Sequence, residues 1–147
     1  MNLLIKGNAD YVNKTVDNIM SHADCAKLLL DNGENFTNMA LYHLSVLVKI
    51  MLKILCKNHN LRYTNYVSIE DLFDKTYKFL PKNILDMAND ICYWHGDLQY
   101  VYERLMTVNE GMSAAREVQD FYNGTILSYL EKLRGTKESS VSTLVKF

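Results

Sequence analysis

From about Ala9 to Leu30, the apolar positions Tyr11, Val12, Val16, Ile19, Met20, Ala26, Leu29 and Leu30 fall at helical intervals. Gly33, in "DNGENF", is a stop signal for that helix. Asn35 or Thr37 can cap the next segment, which runs to roughly His59. On it Leu41, Leu44, Val48, Met51, Leu52 and Leu55 form one broad stripe, and Val46, Leu47, Ile50 and Ile54 widen it. A helix apolar around most of its circumference belongs at the centre of a bundle. Its remaining face carries Lys49, Lys53 and Lys57, spaced by four.

"NHNLRYTNY" reads as a polar connection, and in "SIED" Ser68 can cap a short helix with Asp71 in the capping-box position. Pro81, the sole proline, suits a first helical turn. One helix is expected after it, with Ile84, Met87, Ala88 and Ile91 on a face continuing to Trp94. Gly96 is expected to weaken or kink it before "DLQYVYERLM" resumes a helical pattern. Asn109 can cap a last helix running through Met112, Ala115, Val118, Tyr122, Ile126, Tyr129, Leu130 and Leu133 to Gly135. The pattern predicts an all-α fold, an up-and-down bundle of about five helices in a single domain over 1–147. Its core is expected over about 9–134, with 135–147 a loose C-terminal tail.

Composition supports this picture without narrowing it. Apolar residues make up 48% and charged residues 22%, which argues against disorder. One proline and six glycines leave too few turn signals for a many-stranded sheet. A net charge of -1 provides no global attraction to nucleic acid or an anionic membrane, so any nucleic-acid site must be a local patch. Three cysteines do not suggest a disulfide framework, and "MNLLIKGNAD" lacks a signal-peptide core. The expectation is a cytoplasmic, non-membrane protein.

Several residues carry candidate chemistry. The plain account of His43 is a hydrogen-bonded histidine near the start of a buried helix; the functional account has it line a groove with Lys49 and Lys53. Its offset of six from Lys49 puts the two on different sides of the helix, so joint action needs a neighbouring element. The lysine row is either a solvated edge or a phosphate-holding row aided by Arg62 and Arg104. No glycine-rich phosphate loop accompanies it. His22 with Cys25, Cys56 with His59, and Cys92 with His95 each sit three apart, a spacing that two helices could combine into a zinc site. They lack the turn of a zinc knuckle and buried free cysteine is common, so no metal and no cofactor is expected. In "CYWHGDLQYVYERL", Tyr100 shares a face with Arg104 while Tyr102 points elsewhere; such aromatics can stack bases, form an interface or cover the bundle's end.

The second helix resembles that of the HEPN domain family, the higher eukaryotes and prokaryotes nucleotide-binding domain. "LYHLSVLVKIMLKIL" gives Tyr42-His43, then Lys49, then Leu52-Lys53, with Lys49 standing where many members have Glu. "SIEDLF" resembles the family's short third helix, and "YVYERLM" keeps only the arginine, Arg104, of its frequent Arg-Tyr-Pro. The resemblance spans about Ala9 to Leu133. It implies a dimerising helical bundle that acts either as a metal-independent RNase or as the non-catalytic partner of a small nucleotidyltransferase, often in toxin–antitoxin pairs.

The RNase members need an arginine, four to six residues, then a histidine that serves as acid or base beside the 2′-hydroxyl. After Arg62, Arg104, Arg116 and Arg134 the windows 67–69, 109–111, 121–123 and 139–141 hold no histidine. The expectation is therefore a non-catalytic HEPN-like module, homodimeric, that binds a nucleotide, RNA or a cognate nucleotidyltransferase-type protein in a toxin–antitoxin or defence setting. Lys49, Lys53, Arg104 and His43 are its candidate ligand contacts, and Tyr100 and Tyr102 its stacking or interface residues. The alternatives are a divergent RNase assembled from Arg104 with His43 or His95, and a purely structural interaction bundle.

Overall fold

The computed structural model describes residues 5–32, 37–96 and Asp120. Within them the chain is all-α, with five α-helices, one 3-10 turn and no strand. α1 spans Ala9–Asp31 and starts where the Asn8 side chain accepts from the Tyr11 amide at 2.8 Å. Its buried residues, Val12, Val16, Ile19, Ala23 and Ala26, follow helical spacing down one face. At its end Asn32 satisfies carbonyls that would otherwise be orphaned: its amide reaches Leu28 and Leu29, and its side chain donates to the Leu28 carbonyl at 2.7 Å.

α2, Thr37–Asn58, is the central helix and packs against α1, α3 and α5. Leu41, Leu44, Leu47, Val48, Met51, Leu52, Ile54 and Leu55 are all buried, which leaves only a narrow wet edge. Met39–Asn58 is long and apolar enough to cross a membrane by length and composition, and 61% of that window is buried inside the fold. The helix ends on Asn60, whose φ of 55° is the left-handed C-terminal stop. The Asn60 amide reaches the Lys57 carbonyl and the Leu61 amide reaches that of Cys56 at 2.9 Å, closing a Schellman motif.

After the polar connection, Ser68 Oγ accepts from the Asp71 amide at 3.1 Å and starts α3, Ile69–Thr76. The expected cap is therefore in place. Ser68→Ala is expected to lower stability by about 1 kcal/mol, read as a shift of the urea midpoint. α3 buries Ile69, Leu72, Phe73 and Thr76, and a 3-10 turn over Tyr77–Phe79 leads to Pro81.

The single helix expected from Pro81 to Trp94 is in fact two, α4 (Lys82–Asp86) and α5 (Ala88–Gly96). Met87 breaks it with φ −99° and ψ 0°, its amide bonding to Ile84 in a tight turn. Asn83, Asp86, Asn89 and Asp90 crowd this segment, and such side chains compete with helical hydrogen bonds. The break keeps Ile84, Ile91 and Trp94 buried in the common core. Thr37 is the first residue of α2 and Gly96 the last of α5, while the Gly33 stop, the Asn35 cap, the chain past Gly96, the last helix to Gly135 and the tail lie outside the described residues.

Candidate functional site

α1 and α2 run antiparallel with their faces in register: Tyr11 meets Lys57 near one end and His22 meets His43 further along. Between those two contacts lies a cleft of about 320 Å³. α1 contributes Tyr11, Lys14, Thr15 and Asn18, and α2 contributes Ile50, Lys53, Ile54 and Lys57. Tyr63, from the connection after α2, completes the lining, and no carboxylate is part of it.

Local structure sets these groups in place. Gly7 has φ +151°, and a Cβ there would lie 2.5 Å from Tyr11 Cδ1, so only glycine lets the chain press against that ring. The Lys57 ammonium donates to the Tyr11 hydroxyl at 2.5 Å. That hydrogen bond raises the Lys57 pKa against the opposing effect of burial, with Tyr63 adding to the rise, so the amine stays charged. Lys53 Nζ sits 5.9 Å from the centre of the Tyr63 ring. Burial pushes the Tyr63 phenol up although Lys57 pulls it down, which keeps it a protonated donor at neutral pH. Lys14 pairs with Asp10 at 3.0 Å, but both are so exposed that the pair holds Lys14 weakly. The lining thus gathers three ammonium groups and two phenols around an apolar floor of Ile50 and Ile54. Chemically, it can hold an anion.

The residues singled out in the sequence separate in space. Lys53 lines the cleft, but Lys49 does not. Each step of four residues advances about 40° around a helix, so the row fans out rather than facing one way. The Lys49 amine is pushed down by burial first and by Lys53 second, with Glu70 opposing both. His43 is turned into a different contact, its Nδ1 lying 3.0 Å from Nδ1 of His22. Arg104, Tyr100 and Tyr102 lie outside the described residues. Tyr11, Lys14, Asn18 and Tyr63 were not anticipated as site residues. Tyr11 shows in the sequence only as an apolar position of the first helix.

The histidines form a group of their own. The His22 and His43 rings lie 5.3 Å apart, Tyr42 meets His43 edge-on at 5.8 Å, and Tyr42 lies 6.1 Å from His95. The short nitrogen contact requires one ring to donate and the other to accept. Burial lowers all three pKa values; His43 adds to this at His22, and at His95 Lys49 adds to it while Glu70 opposes. Well above pH 6.5 these rings are neutral whether the chain is folded or not. Below it the unfolded chain takes up protons that the folded one resists, so stability is expected to fall as pH drops from 7.5 to 5.5. Urea midpoints across that window check it, and His43→Gln is expected to flatten the slope.

The cysteine–histidine pairs do not build a metal centre: among the described residues no three His, Cys, Asp or Glu side chains are grouped to hold an ion. His59 instead stacks on Phe79, ring centres 3.6 Å apart. Cys56 is buried and Cys25 exposed. The Cys92 thiol is pushed up to about 11 by burial, then by Glu70 and Asp74, and is inert as a nucleophile at neutral pH.

Fold and site together define an all-α helical bundle with a cationic, tyrosine-bordered cleft between its first two helices. Compared with protein-family models, curated proteins and solved structures, the chain matches none.

Proposed function

We propose that this chain is a non-catalytic, HEPN-like helical module that binds a nucleotide or RNA through the α1–α2 cleft. The observation that carries the reading is the lining itself: Lys14, Lys53 and Lys57 with Tyr11 and Tyr63, and no carboxylate among them. A neutral chain overall can recognise a polyanion only through such a local concentration of charge. The wider setting follows from the family resemblance: a cytoplasmic homodimer serving a nucleotidyltransferase-type protein partner in a toxin–antitoxin or defence pair.

The test combines solution mass with a binding screen of the four nucleotides and a mixed RNA. A dimer that binds either ligand, with affinity falling as salt rises, supports the reading. A monomer that binds neither removes it.

A second reading, a divergent RNase, draws on the run of ring contacts from His22 to His43, from His43 to Tyr42 and from Tyr42 to His95. His22 and His43, neutral and within hydrogen-bond distance of one another, suit proton transfer. Cleavage of a mixed RNA by wild type, lost in both His43→Ala and Arg104→Ala, would favour it over the binding module.

A further inference from the structure

We propose that the α1–α2 cleft is a site for a compact phosphomonoester, a ligand presenting a terminal phosphate, and not for an internal stretch of nucleic-acid strand. This rests on the anion-binding reading above and narrows it.

The first argument is the shape of the site. Tyr11, Thr15, Asn18 and His22 follow one face of α1, and Lys57, Lys53, Ile50 and His43 follow the opposing face of α2. The Tyr11–Lys57 hydrogen bond crosses between the helices at one end of this strip. The His22–His43 contact crosses it again one turn beyond Asn18. A groove that tracks a strand must be open at both ends, because the backbone enters and leaves. This one is crossed at the Tyr11–Lys57 end by two of its own lining residues, while the His22–His43 contact lies beyond the lining. Its volume of about 320 Å³ sits at the small end of the roughly 300–1,000 Å³ typical of ligand pockets.

The second argument is charge. A phosphomonoester is close to a dianion at neutral pH and offers three terminal oxygens, whereas an internal phosphodiester carries one charge and has two of its oxygens esterified. Lys53 and Lys57 bring two ammonium groups to the cleft, and Lys14, held only by an exposed pair to Asp10, can bring a third. Each ammonium offers several donors, and the Tyr63 hydroxyl adds another. Ile50 and Ile54 provide an apolar floor for whatever the phosphate is attached to, and the Asn18 amide can pair with a polar edge. Three cations in one small lining, offset at Lys14 by the exposed pair to Asp10, suit a doubly charged end group better than a single diester.

Calorimetry on the full chain tests this with adenosine 5′-monophosphate, its methyl phosphodiester, adenosine, and one ten-residue oligoribonucleotide with either a 5′-phosphate or a 5′-hydroxyl. The monophosphate is expected to bind at least about tenfold more tightly than the diester or the nucleoside. Lys57→Met and Lys14→Met are each expected to weaken it about tenfold. Lys14 is 77% exposed, so its replacement leaves the fold intact even if loss of the Tyr11–Lys57 bond does not. Binding of the 5′-phosphorylated oligonucleotide beside the free monophosphate would show the site reading a chain end; binding of the monophosphate alone would show a small-molecule site. Either supports the proposal. Equal binding of the two oligonucleotides would overturn it while leaving nucleic-acid binding in place. Monophosphate binding that survives both lysine replacements would overturn it by placing the ligand elsewhere. No binding by any probe would overturn this proposal and the anion-binding reading together.

Discussion

Leu55→Ala is expected to lower the unfolding free energy by about 2–5 kcal/mol. Leu55 is fully buried on α2, the helix on which α1, α3 and α5 all pack. Removing its isobutyl group forfeits apolar burial and leaves a void that three packed helices close only in part. Small helical domains have stabilities of only about 5–15 kcal/mol, so this one change removes a large share. Urea unfolding followed by circular dichroism gives the value. A loss under 1 kcal/mol would mean that α2 is not the shared packing element.

For binding, the largest expected effect is that of Lys53→Glu. Lys53 lies midway along the cleft, between the Lys57 end and Ile50, and faces Tyr63. The substitution removes one charge-assisted contact and adds a like-charge repulsion to any anion held there, together expected to weaken binding roughly a hundredfold. It is half-buried rather than core, so the fold is expected to hold. Lys49→Glu is the control: Lys49 is not part of the cleft lining, and its effect is expected to stay within a few-fold. Equal losses in the two variants would argue for diffuse charge attraction and against a defined cleft.

Much of the fold was legible in the pattern of side chains. α1 and α2 announce themselves by long periodic stripes, and Ser68 by a capping signature whose geometry the structure reproduces. The break at Met87 was not legible, since the apolar period runs straight through it and only the density of Asn and Asp hints at a stop. The site was half legible. The lysine row was plain, but periodicity says which residues share a face and not which face opposes it. Tyr11 and Lys57 are 46 positions apart, and nothing local couples them. For the same reason His22 read as a neighbour of Cys25, when its partner is His43 across the helix pair.

The composition of α2 also bears on how the chain is made. During synthesis a segment as apolar as Met39–Asn58 emerges before α3 and α5 exist to cover it, at a time when a bilayer would accept it by hydropathy alone. The chain order answers this hazard, because α1 is already complete when α2 appears and docks on it across a short connection. Such a local hairpin closes quickly compared with distant pairings. Lys49 works in the same direction, since a lysine costs about 2.5–3.5 kcal/mol near the middle of a membrane-inserted helix. The order of α1 before α2 thus gives this apolar segment a packing partner as soon as it is made.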